Sequence, residues 1–147
     1  MPWWRKRIEV ESVGSRIEFR DKNGALLAYM IKNDLSEGLC PYSDDKDFIQ
    51  VLSWNYRAGT ILQSHTHLPV PRNVTHAQEA IVVLSGQLRA DIFDNERHLI
   101  GQVLVGVGEC MVFLNGGHGY EILEDGTRVF EIKNGPYPGA EADRERF

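Results

Sequence analysis

The chain has 147 residues, enough to bury a core as one domain without disulfides or a structural metal. A formal net charge of −5, a pI near 5.5 and no basic stripe longer than Arg5-Lys6-Arg7 exclude non-specific nucleic-acid binding. No run approaches 18 apolar residues, which excludes a membrane-spanning helix; residues 1–7 lack the apolar stretch of a signal peptide, so the expected compartment is the cytoplasm.

In chain order, the first feature is the Trp3-Trp4 pair, which either packs over one end of the fold or lies in a dimer interface, where aromatic residues are enriched. Candidate strands then follow at 16–20, 25–32, 48–56, 60–67, 80–85, 87–93, 98–105, 110–114, 119–123 and 128–133, runs of β-branched and aromatic residues cut by Gly, Asn and Asp. Asp21-Lys22-Asn23-Gly24 and Glu124-Asp125-Gly126 have the composition of tight hairpin turns, and Asp94-Asn95-Glu96 is a third turn. Residues 32–39 hold at most a short turn of helix. Leu88, Ala90 and Ile92 alternate with Arg89, Asp91 and Phe93, which predicts one buried face, whereas residues 80–84 are apolar on both sides and predict a central, doubly covered strand. Pro69 and Pro71 stiffen a loop, and residues 135–147 read as a loop and charged tail. Cys40 and Cys110 fit no paired motif and read as free thiols. Ten short strands with few helices predict an all-β domain, a closed barrel or a double-sheet jelly roll.

The chemistry concentrates in a few side chains. His65 and His67 are two apart, so on a strand they project to the same side. With Glu79 from a paired strand and His118 after a glycine-rich turn, they compose a ligand set for one divalent transition metal: Fe, Mn, Ni, Co or Zn. Four protein ligands on a six-coordinate ion leave two positions for water, substrate or dioxygen. His76, three residues before Glu79, is a surface residue, a hydrogen-bonding partner or a competing ligand. Gln63 shares parity with His65 and His67, and Tyr120 with His118, so both are candidates to face a bound molecule. Tyr120 and His76 are the candidate catalytic groups; Gln63, Tyr56, Arg72 and Arg89 are the candidate substrate contacts.

These residues also carry a resemblance. Gly59, His65, His67, Glu79 and Gly86 follow the first motif of the cupins, except that eleven residues separate His67 from Glu79 where the family has three or four. Gly108 and His118 follow the second motif, with Leu114 in place of its proline and one residue fewer before the histidine. The chain thus resembles a small single-domain bacterial cupin. The resemblance implies a cupin-type β-barrel or double-stranded β-helix spanning 1–147, with the barrel core at about 48–133, N-terminal strands and an arm at 1–47, and a C-terminal loop and tail at 134–147. It implies a homodimer, and loosely a place in carbohydrate metabolism. The expected function is a metal-dependent enzyme acting on a sugar, sugar acid or keto acid, by Lewis-acid isomerisation or epimerisation or by Fe(II)-dependent oxygenation. The alternative is a non-catalytic module that binds or senses a saccharide.

Overall fold

A computed structural model describes residues 14–147; the Trp3-Trp4 pair lies outside them. The first two strands, β1 (Ile17–Arg20) and β2 (Leu26–Ile31), form an antiparallel hairpin. Asp21 shapes its turn, its Oδ1 accepting the amides of Asn23 and Ala25. A second, separate hairpin is β3 (Gly38–Pro41) with β4 (Leu52–Asn55). The remaining strands are β5 (Glu79–Ser85), β6 (Leu88–Phe93), β7 (Leu99–Val105), β8 (Cys110–Phe113), β9 (Gly117–Ile122) and β10 (Arg128–Lys133), followed by one helical turn, α1 (Ala140–Asp143).

The strands form a five-stranded sheet in the order β1-β2-β8-β5-β10, a three-stranded sheet β7-β6-β9 and the two-stranded β3-β4. Every pairing is antiparallel. No hydrogen-bonded ladder joins the sheets, so the described residues make an all-β assembly of separate layers and not a closed barrel. Period-2 alternation explains the layering. Met30, Met111, Ile81 and Val83 of the large sheet meet Leu88, Ala90, Ile92 and Val105 of the three-stranded sheet in the main core. On the opposite face of the large sheet, Tyr29, Ile31, Ala80 and Val112 pack against Tyr42 and Ile49.

Four sequence expectations need correction. Residues 60–67 form no strand: no ladder pairs them, their side chains are exposed, and two prolines without amide hydrogens follow. Residues 32–39 are not helical; their end forms β3. The Glu124-Asp125-Gly126 turn closes no hairpin, because β9 and β10 belong to different sheets and the chain crosses between layers there. The tail is not wholly irregular, since it contains α1.

Candidate functional site

The layering sets the geometry of the site. Glu79 opens β5 and pairs in register with Phe113; sharing parity with Ile81 and Val83, it faces the main core. On the other sheet, His118 lies opposite Ile92 and Tyr120 opposite Ala90, so both side chains point at the same core from the far side. At the end of the sandwich, where apolar packing stops, the two sheets therefore present Glu79 to His118 and Tyr120.

The contacts are close. Tyr120 donates its hydroxyl hydrogen to Glu79 Oε1 at 2.9 Å, and His118 Nε2 lies 3.3 Å from the same oxygen. The imidazole of His118 stacks on Phe113, centroids 4.0 Å apart and planes at 19°. Lys133 Nζ stands 4.0 Å from Glu79 Oε2 and 3.9 Å from Glu131. Burial works to raise the Glu79 carboxyl, but hydrogen bonds from His118, Glu131 and Tyr120, with the charge of His118, hold it at about 2. Glu131 is displaced upward, by its hydrogen bond to Glu79 and then by burial, so Glu79 ionises ahead of it. Burial and the neighbouring Glu79 charge push the Tyr120 hydroxyl up, so it acts as a hydrogen-bond donor near neutral pH.

These residues line a cavity of about 940 Å³. His76 lies on its wall but has both ring nitrogens engaged: Nε2 at 3.1 Å from the carbonyl of Leu114 and Nδ1 at 3.2 Å from Thr75 Oγ1. A carbonyl only accepts, so Nε2 carries the hydrogen, and the ring bridges the loop to the residue that follows β8 with no lone pair aimed at the cavity.

Of the expected ligand set, the structure brings Glu79 and His118 together and leaves His65 and His67 apart. The latter sit on the exposed segment between β4 and β5, rings 5.1 Å apart, and line no part of the cavity. Gln63 and Arg72 lie exposed on the same segment. Tyr56 packs edge-on against Trp54 at 6.3 Å, and Arg89 is engaged by Asp91 at 2.8 Å and Glu121 at 2.7 Å. None of these four candidate substrate contacts borders the cavity.

Sequence reading missed Glu131 and Lys133. Alternation within 128–133 puts those two on one side of their strand, but only the pairing of β10 with β5, Glu131 opposite Ile81 and Lys133 opposite Glu79, ties that side to the Glu79 face. It also treated residues 94–96 as a turn and no more. There Asp94, Glu96 and His98 offer ligand atoms within 4.8 Å of one another, the single such group of three among the described residues, and it could hold a metal ion. The amide and ring of His98 and the amide of Glu96 already bind the Asp94 carboxyl and hold it below the ordinary aspartate range, while Glu96 pairs with Lys22 at 3.1 Å. Among the described residues no helix is long and apolar enough to cross a membrane.

Comparison of the chain with family models, with curated proteins and with solved structures found no match in any of the three.

Proposed function

We propose that the cavity takes a small polar molecule, a sugar, sugar acid or keto acid, and that the protein acts on it as a metal-dependent enzyme of the cupin type. The observation that carries this reading is the meeting of an ionised Glu79 carboxylate and His118 Nε2 at 3.3 Å on the cavity wall. Two donor atoms at about 2.1 Å from one ion and at right angles lie about 3 Å apart, so the pair suits two adjacent positions on a divalent cation. The stacking of a five-stranded on a three-stranded antiparallel sheet supports the jelly-roll reading.

A bound transition metal would supply Lewis-acid stabilisation of charge developing on a substrate oxygen. The chain's own groups divide the remaining work. Glu79, held at about 2, is too weak a base for proton abstraction near neutral pH and serves as a fixed negative charge. Tyr120 orients it through the 2.9 Å bond. Glu131, shifted upward beside it, is the better carrier of a proton. Phe113 fixes the plane of His118 by stacking. In this reading His65 and His67 complete the ligand set, which requires their segment to reach the cavity.

Metal analysis of protein purified without an affinity tag tests the proposal. About one transition metal per chain is expected, lost in Glu79→Ala and His118→Ala. Metal absent from the native protein and not retained after reconstitution refutes it. Loss in His65→Ala and His67→Ala separates a four-ligand centre from a Glu79–His118 pair.

A second reading has its own observation. Glu79 Oε1 already receives both Tyr120 and His118, an arrangement complete without an ion, as a saccharide-binding module would use. Saturable saccharide binding by metal-free protein, with no product, favours this reading over the first.

A further inference from the structure

Asp143, the last residue of α1, and residues 144–147 line the cavity. The chain that leaves β10 of the large sheet at Lys133 thus reaches the three-stranded sheet through Phe147 on Phe93. Near the start of this stretch, Arg144 reaches the hydroxyl of Tyr137 at 3.4 Å, and Lys133 lies 5.4 Å from the Tyr137 ring centroid. At the far end, Phe147 sets its ring edge-on against Phe93, centroids 5.2 Å apart and planes at 86°. The Arg97 guanidinium lies 4.9 Å over the same ring, and Arg97 pairs with Glu145 at 3.0 Å. A Cβ built on Gly117 would come 2.8 Å from Phe147 Cζ, so the ring has its seat because position 117 bears no side chain. Gly117 immediately precedes His118. The segment therefore bridges the two sheets across the gap in which Glu79 and His118 meet.

The fastening is light. Phe147 remains 61% exposed, held by an edge contact and a cation over its face, not by burial in a core. A large ring in a shallow seat, against the glycine that immediately precedes His118, has the properties of a catch that opens and recloses.

We propose that residues 139–147 are a strap closing the Glu79–His118 cavity, with Phe147 as its latch, and that a ligand enters and leaves when this ring lifts from Phe93, Arg97 and Gly117. The latch stands on the contacts themselves; only its use as a gate rests on the cavity being the working site.

Reactivity of His118 toward diethyl pyrocarbonate, followed residue by residue by mass spectrometry on the 147-residue chain, tests the strap. EDTA is present so that no bound ion masks the imidazole, and His65 and His67, exposed on their own segment, are internal standards. Phe147→Ala is expected to accelerate His118 modification at least threefold, with His65 and His67 unchanged and Phe147→Tyr at the wild-type rate. Gly117→Ala, which pushes the ring from the other side, should accelerate His118 as well and add little in the Phe147→Ala background. Arg97→Ala, on an exposed turn, releases the ring by a third route and serves if either of the other variants folds poorly. A His118 rate within 1.5-fold of wild type in the folded variants overturns the proposal. The readout needs no metal, so a protein that binds none leaves the strap intact, and a protein that binds one while His118 reactivity stays unchanged refutes the strap alone.

Discussion

Removing the hydroxyl of Tyr120 isolates the central bond of the site. In Tyr120→Phe the buried Glu79 carboxylate loses the donor that reaches it at 2.9 Å, while the ring keeps its edge contact with Phe113, centroids 5.8 Å apart. A hydrogen bond to an ionised group contributes about 1.5–3 kcal/mol. Because Tyr120 is 38% exposed, solvent screening reduces the expected coupling to about 1–2 kcal/mol. With a urea m-value of about 2 kcal/mol per molar, that coupling corresponds to a midpoint difference of about 0.5–1 M. The assay is a double-mutant cycle of Tyr120→Phe with Glu79→Ala, each unfolded in urea at pH 7. Subtracting the single variants removes the cavity that Glu79→Ala leaves and isolates the pairwise energy. Additivity to within about 0.3 kcal/mol would show that the bond contributes nothing net, and the argument for an oriented carboxylate would fail.

Three further outcomes follow from other contacts. The Glu79 carboxyl falls from its ordinary 4.5 to about 2 on folding, so the stability it contributes is complete above pH 4.5 and is lost as the pH falls toward 2; this amounts to about 3 kcal/mol at most, and acid unfolding of chelator-treated Glu79→Gln should lack that component, a result contradicted by superimposable acid transitions. Gly86→Ala meets both a φ of +75° and Thr127, whose Cα would lie 2.7 Å from the new Cβ, and should cost more than about 2 kcal/mol in thermal or urea unfolding, whereas Gly24→Ala, at a φ of +83° with open space around it, should cost only about 1–2 kcal/mol; equal losses would refute the steric part. Burial pushes the Cys110 thiol up to about 11, so its alkylation by iodoacetamide at pH 8 should run at least tenfold slower than that of a free cysteine, and a comparable rate would show the thiol to be accessible.

Alternation made most of the fold legible. The expected strand at 128–133 coincides with β10, and 25–32, 80–85, 87–93, 98–105 and 110–114 lie within a residue or two of β2, β5, β6, β7 and β8. Each of these has a paired neighbour, and β2, β5, β6 and β8 also bury at least one face, the circumstances in which a period of two has a cause. The failure at 60–67 has the same root. Thr60, Ile61 and Thr66 are β-branched and give the run a strand's composition, but pairing is a property of the partner strand, and none lies beside them among the described residues. Parity correctly grouped His118 with Tyr120, because both sit on a paired strand, and grouped His65 with His67 on a strand that does not form. Glu131 and Lys133 escaped because their role depends on the register of β10 against β5, which no window along the chain encodes. The Asp94–Glu96–His98 group was hidden for a different reason: it folds through side-chain acceptance of backbone amides within one turn, and its composition reads as an ordinary turn.

Because Glu79 hangs from one sheet while His118 and Tyr120 hang from the other, no single strand owns the 3.3 Å approach between carboxylate and imidazole. Its width is the thickness of the interior, set by how Ile81, Val83 and Met111 mesh with Leu88, Ala90 and Ile92. Trimming a methyl group at Ile92, or adding one at Ala90, would move the facing walls by tenths of an ångström and alter that approach from a distance. Residues with no polar atom in their side chains thus act as the vernier of the gap between carboxylate and imidazole.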